Sequence, residues 1–391
     1  MQIGIDASRA VAESPTGTEF YSQRIIQALL ELDSTHQFRL YSHITPPADA
    51  FPGVDLRVIP FPRLWTHLRL SWEMARHPPD ALFVPAHVLP IVRPRASLVT
   101  IHDLGYLYFP RTHPRLQRWY LDLSTRWSAH AATHILAVSK ATKSDLVSRY
   151  GIHPAKITVI PHGRDEALAP VRNTSKIEES KTQYGIVGEY FLYLGTLHPR
   201  KNLSRIIDAF ADLNSNTHLV LAGKQGWLYD DLYRQVRSLG LEGRVVFPGY
   251  VADGDKAALL SGAVAFVFPS LYEGFGLPVL EAQACGCPVI ASTTSSLPEV
   301  AGDAALMVDP QDTSAIAAAM RRISSDTSLR ETLIARGMSN VRRFSWEASA
   351  RDVLSAIEQC VMGAKRERLS NALASQDTDA LAAPGDEGNK S

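Results

Sequence analysis

Residues 266–299 read FVFPSLYEGFGLPVLEAQACGCPVIASTTSSLPE, and this stretch decides the architecture. Ala265 to Phe268 is a short apolar run of the kind that forms a buried strand. Gly274 and Gly276 let the backbone turn tightly beside a ligand, and Pro278 suits the first position of a helix. A strand, a glycine turn and a helix start in that order collect unpaired N–H groups at the positive end of a helix dipole, where an anion such as a diphosphate binds. Two carboxylates flank the turn: Glu273 just before it and Glu281 in the first turn of the helix. Both can accept hydrogen bonds from hydroxyls beside the bound phosphates, one from a ribose and the other from a sugar.

The same features resemble the signature of the retaining glycosyltransferases of family 4, in which two glutamates with seven residues between them surround a GFGLP-like turn. The resemblance implies the GT-B fold: α/β, with two Rossmann-like doubly wound domains facing a central cleft. It also implies that Glu273 contacts the transferred sugar and Glu281 the nucleotide ribose, with Gly274, Phe275, Gly276 and Leu277 lining the donor site. It covers nearly the whole chain up to about Gly363.

Length and composition agree with two domains. The chain has 391 residues and is 45% hydrophobic, enough for two cores of ordinary size. Its formal net charge is zero, so nothing global points to nucleic acid. The opening MQIGIDAS reads as a strand, lacks the succession of a signal peptide, and no apolar run reaches spanning length, giving the expectation of a cytoplasmic protein. Cys285, Cys287 and Cys360 are too few for a disulfide framework and read as small buried apolar residues.

Strand-like runs alternate with helical patterns twice along the chain, the sequence form of a doubly wound sheet. The first half holds runs at 3–5, 38–41, 56–59, 81–84, 97–101, 134–138 and 157–160; the second at 190–194, 218–222, 245–248, 265–268, 288–291 and 305–308. The organisation read from these is an N-terminal acceptor domain over 1–165, a linker over 166–184 with a short helix, and a donor domain over 185–345. A helix follows over 346–363, with Trp346, Ala350, Val353, Ile357 and Val361 on one face, and the resemblance sends it back onto the N-terminal domain. The polar tail 364–391 reads as disordered.

A second chemical site is YLGTLHPRKN, residues 193–202. It ends a strand and places Arg200 and Lys201 before a helix, where two cations can meet a diphosphate beyond the carboxyl ends of the strands. Such cations stabilise the charge that builds on a departing phosphate. The wording is similar to a subgroup of bacterial family members that includes many mannosyltransferases. Thr196 stands where the wider family often has an arginine, and GDP-mannose is the first donor suggested, UDP-sugars the next. Tyr250 and Val251 fall at the strand end where this fold tends to read the base through backbone groups.

In the first half, Pro15-Thr16-Gly17 opens a helix through Leu30, with Gly17 matching the family's glycine loop and Glu19 standing where a second glycine is common. Thr100-Ile101-His102-Asp103 resembles the family's motif in which a histidine lies beside the anomeric centre and the acceptor. The segments Val138–Lys140 and Ile160–Gly163 read as scaffold on the hinge side.

The resembling family has no carboxylate placed as a covalent nucleophile, so a front-face route is expected, in which the departing diphosphate takes the acceptor's proton. No metal and no cofactor are required: there is no HExxH, and both Asp-x-Asp triplets, at 253–255 and 377–379, fall in turn-like or tail sequence. The expected partners are a nucleotide-sugar donor and a glycan or lipid-linked acceptor. Trp65, Trp72, Trp119 and Trp127 lie among Arg63, Arg69, Arg76, Arg111, Arg115, Arg118 and Arg126. With Trp65, Arg69, Trp72 and Arg76 on one helix face, this composition suggests peripheral contact with the inner face of a membrane. A nucleotide-sugar epimerase, a sugar phosphorylase and a noncatalytic nucleotide-sugar binding protein are the alternatives on the same fold.

Overall fold

The computed structural model describes residues 1–391 except 12–16, 33–34, 48, 62–63, 111–113, 214, 225–228 and 382–391, with the side chains of 229 and 371–381 also outside the description. Among the described residues thirteen strands fall where the apolar runs lie: β1 (Gln2–Asp6), β2 (Gln37–Ser42), β3 (Asp55–Val58), β4 (Ala81–Val84), β5 (Ala96–Ile101), β6 (His134–Ala137), β7 (Ile157–Val159), β8 (Tyr190–Leu194), β9 (His218–Ala222), β10 (Val245–Val246), β11 (Ala265–Phe268), β12 (Val289–Ser292) and β13 (Leu306–Val308). They form two sheets, of order β3-β2-β1-β4-β5-β6-β7 and β10-β9-β8-β11-β12-β13. Every pairing is parallel.

Parallel sheets need helices on both faces, so their central strands carry unbroken apolar sequence rather than alternation. β4, β5, β8 and β11 are buried along their whole length, whereas the edge strand β3 is half-buried. Each sheet reverses direction once, between β1 and β4 and between β8 and β11, and ligands of such sheets sit beyond the carboxyl ends of the strands at that reversal.

The expected domain plan needs two corrections. The 166–184 segment contains the helix Thr174–Gln183, capped by the Asn173 side chain, and Tyr184 donates to Asp255 at 2.8 Å. Its Ile177 packs beside Gly262, so this segment is part of the second domain's outer layer and not a bare linker. The terminal helix runs Trp346–Leu381, beyond the expected end at Gly363 and into the segment expected to be disordered. Local helix propensity in AKRERLSNALASQ carries it on after the apolar face ends at Val361. Trp346, Ala350, Val353, Ile357 and Val361 are buried in one cluster with Ile25, Leu29 and Ile3 of the N-terminal domain.

The tryptophan face needs a third correction. Residues Thr66–Leu70 form a π-helical turn leading into the helix Ser71–Arg76, and the wider turn breaks the 3.6-residue spacing. Trp65 is therefore buried, donating from Nε1 to the Ile59 carbonyl at 2.8 Å, while Trp72 is 52% exposed with the Arg76 guanidinium over its ring. Arg63, Arg111 and the Pro15-Thr16 pair lie outside the described residues.

Candidate active site

The domains face each other across a cleft of about 1540 Å³. The residues given catalytic or donor-binding places from the sequence line it: Gly17, His102, Thr196, Arg200, Lys201, Tyr250, Val251, Glu273, Gly274, Phe275, Gly276, Leu277 and Glu281.

The turn after β11 brings the glutamates into place. Gly276 holds φ +116° as the N-cap of the helix Leu277–Ala284, a conformation that favours glycine, and Pro278 stands at its second position, one later than expected from the sequence. A hydroxyl network from the loop after β12 fixes this backbone. Ser295 Oγ accepts from the Glu273 N–H at 2.9 Å, and Ser296 Oγ donates to the carbonyls of Glu273 and Phe275 at 3.0 and 2.5 Å.

Lys201 and Arg200 stand on the short turn Pro199–Lys201 after β8, across the sheet reversal from Glu273. The Lys201 ammonium lies 2.5 Å from Glu273 Oε1 and over the Phe268 ring, and Arg200 lies 3.9 Å from Glu273 Oε2 and 3.6 Å from Asp103 Oδ2. Burial pushes the Glu273 carboxyl up, but Lys201 and Arg200 outweigh it and hold the group below its ordinary value. The result is a buried carboxylate with two cations at the mouth of β8 and β11, beside the start of the helix Leu277–Ala284.

Glu281 is held differently. Burial raises its carboxyl, opposed by Lys256, whose ammonium lies 3.5 Å from both Glu281 oxygens. The glutamates thus have separate cationic partners on separate elements.

From the N-terminal domain, His102 follows β5 and is buried. Its Nε2 lies 2.9 Å from the Pro85 carbonyl, which can only accept, so Nε2 carries the proton and Nδ1 is the ring's acceptor. Burial and the neighbouring His87 push its pKa down to about 4, so the ring is neutral near pH 7.

The domains touch within the cleft. A Cβ on Gly274 would stand 2.1 Å from the His102 carbonyl oxygen, so only glycine admits this approach. Thr142 Oγ1 donates to the His102 carbonyl at 3.1 Å, Tyr272 OH donates to Asp145 at 2.7 Å, and the Glu299 carboxylate accepts from Lys140 and Ala141 N–H at the start of the helix Lys140–Tyr150.

Sequence reasoning passed over several cleft residues. Asp103 sits inside a quoted motif, and its pairing with Arg200 needs the two domains together. Asp6, at the end of β1, is raised by burial to about 6. His162, read as scaffold, also lines the cleft and packs on Phe275 at 4.5 Å between ring centres. Among the described residues no group of three His, Cys, Asp or Glu side chains is arranged to hold a metal ion, and no helix is long and apolar enough to cross a membrane.

Two parallel doubly wound domains with their strand ends facing one cleft, and Arg200, Lys201 and Glu273 together at the second domain's reversal, have the GT-B arrangement. A family model described as Glycosyltransferase Family 4 matches residues 15–168, and one described as Glycosyl transferases group 1 matches residues 176–339. The chain is 34% identical over 299 residues to the O-antigen chain mannosyltransferase B of Escherichia coli, covering 75% of this chain and 78% of that protein. It is 30% identical over 267 residues to the serotype-specific mannosyltransferase WbdA of Escherichia coli, covering 66% of this chain but only 32% of that longer protein. The crystal structure of Anabaena HepE in complex with UDP and glucose superposes with a TM-score of 0.72 at 20% identity, covering 92% of this chain and all of that one. The chain belongs to glycosyltransferase family 4 and is a glycosyltransferase.

Proposed function

We propose that this enzyme transfers mannose, with retention and without a metal ion, from GDP-mannose to a saccharide hydroxyl on a lipid-linked acceptor. The observation that carries the transfer chemistry is the Lys201–Glu273–Arg200 cluster beside the glycine turn and helix start. In the step, the bond from the sugar's anomeric carbon to the diphosphate oxygen breaks, with its electron pair leaving on the diphosphate. The acceptor hydroxyl forms the new bond on the same face and passes its proton to that diphosphate. Lys201, Arg200 and the N–H groups of the helix start stabilise charge that is larger in the transition state than in the ground state. Glu273 holds the sugar's hydroxyls, Glu281 the ribose diol, and the neutral ring of His102 lies beside the anomeric carbon with Nδ1 as acceptor. The mannosyltransferase names of the relatives support mannose. A thermal-shift panel of nucleotide sugars tests the donor: GDP-mannose should raise the melting temperature above any UDP-sugar, and a larger shift from a UDP-sugar would replace mannosyl as the reading.

The lipid-linked acceptor rests on the outer face of the first domain. Residues 64–77 and 114–131 meet where His67 Nε2 and Tyr120 OH lie 3.0 Å apart, both residues lining the cleft. Around that mouth Leu68, Trp72, Leu116, Trp119 and Leu123 are exposed, Leu116 at 83% and Trp119 at 65%, among Arg69, Arg76, Arg115, Arg118 and Arg126. The carboxylates of these segments are used inward: Glu73 pairs with Arg57 at 2.8 Å and Asp122 accepts from Tyr150 at 2.7 Å. An exposed aromatic and aliphatic face with uncompensated arginines suits an anionic bilayer. Flotation with vesicles of anionic lipid should carry the enzyme up at low salt and lose it when Arg115 and Arg118 become Glu. Failure to float at low salt would remove this part.

A further inference from the structure

Lys256 lies on the helix Asp253–Gly262, in its first turn, where a cation opposes the helix dipole. Its side chain is only 24% exposed and turns into the cleft, where Nζ stands 3.5 Å from each Glu281 oxygen and 3.6 Å from Asp253 Oδ1. Besides Lys256, the charged groups acting on Glu281 are acidic. Asp253 comes from the same helix as Lys256, Asp165 comes from the interdomain crossing and pairs with Arg24 at 3.5 Å, and Cys285 follows on Glu281's own helix. Lys256 opposes these carboxylates at Glu281 itself, while Arg24 takes Asp165.

We propose that Lys256 is a positioning residue for the donor site: it keeps the Glu281 carboxylate ionised and aimed at the nucleotide, so that nucleotide affinity depends on a lysine one element away from the signature motif. The inference rests on the reading of Glu281 as the ribose contact. A carboxylate can accept both hydroxyls of a vicinal diol, whereas the protonated acid gives up part of that accepting capacity. Burial already favours the acid form of Glu281, and Asp165 and Asp253 push the same way, with Lys256 opposing. Removing the lysine charge moves the balance toward the acid and leaves Glu281 free to turn away from the diol.

Calorimetric titration with GDP and UDP between pH 5 and 8 tests this, the tighter of the two on the parent enzyme carrying the series. Lys256→Met should weaken binding at pH 7 by about 10- to 100-fold, the cost of losing a hydrogen bond to a charged group. The acid side of the affinity profile should move to higher pH. Lys256→Arg, which keeps the charge, should recover most of the affinity and return the profile, showing that charge and not folding is at issue. In a Glu281→Gln background Lys256→Met should add little further loss, because neighbours acting through one another are not additive. Parental affinity and an unmoved profile in a folded Lys256→Met variant would overturn the proposal. So would an equal loss in the Glu281→Gln background, which would show the lysine acting without Glu281. Parental affinity of Glu281→Gln alone would instead overturn the ribose reading itself, and this inference with it.

Discussion

Gly274→Ala is the substitution whose consequence follows most directly from the geometry. Its new Cβ would stand 2.1 Å from the His102 carbonyl oxygen and 2.8 Å from the Asp103 Cβ, both on the opposite domain. Neither neighbour is the far end of a flexible side chain: one is backbone, and its carbonyl also accepts from Thr142. Ordinary contact therefore requires the domains to part at this point, and a misplacement of about 1 Å at a reacting centre costs on the order of 10²-fold in rate. The second domain's core is untouched, because Gly274 packs across the cleft. The variant should keep its melting temperature and bind free GDP with near-parental affinity, while kcat/KM for transfer falls about 100-fold. Steady-state kinetics beside calorimetric GDP titration measures both. Transfer at the parental rate would refute the claim that the working cleft closes with Gly274 against His102.

Lys201→Ala should lower kcat by about two to three orders of magnitude if the ammonium stabilises leaving-group charge, as measured by release of nucleoside diphosphate in a folded variant. Glu273→Gln should harm transfer more than binding of free GDP, since its proposed partner is the sugar; equal losses in both would move Glu273 to the nucleotide. Stability should fall as pH drops from about 7 to 5, because His102, with its pKa near 4, stays neutral when folded while the unfolded ring takes a proton below its ordinary 6.5. His87 and His162 are lowered by burial as well and add in the same direction. Substituting His102 by Asn should make the melting temperature less steep over that range, and an unchanged slope would count against a buried neutral ring. Activity should be the same in excess EDTA as in magnesium, assayed side by side.

The strands were legible because parallel sheets bury both faces, so each central strand is a short apolar run between polar punctuation, as at Tyr190–Leu194 and Ala265–Phe268. The donor turn was legible because its parts are contiguous: glycines, a first-turn proline and two glutamates within one stretch. What escaped depends on contacts between distant segments. Nothing local in VADGDKAALL says that Lys256 meets Glu281, and nothing in the HD pair says that Asp103 meets Arg200. The π turn at Thr66–Leu70 also escaped, since a helical wheel assumes 3.6 residues per turn and so placed the buried Trp65 beside the exposed Trp72. The terminal helix was ended too early because apolar periodicity stops at Val361, whereas helix propensity alone continues it to Leu381.

Retaining mannosyl transfer leaves the new linkage in the donor's own α configuration. The most direct test follows GDP-mannose labelled with ¹³C at the anomeric carbon by NMR, with purified enzyme, EDTA and a panel of lipid-linked saccharide acceptors. The donor's α-anomeric signal should give way to an α-mannosidic product signal as GDP appears, with Lys201→Ala slowing this conversion by about two to three orders of magnitude and Glu273→Gln slowing it as well. A β-mannosidic product, or conversion that needs an added divalent ion, would contradict this reading.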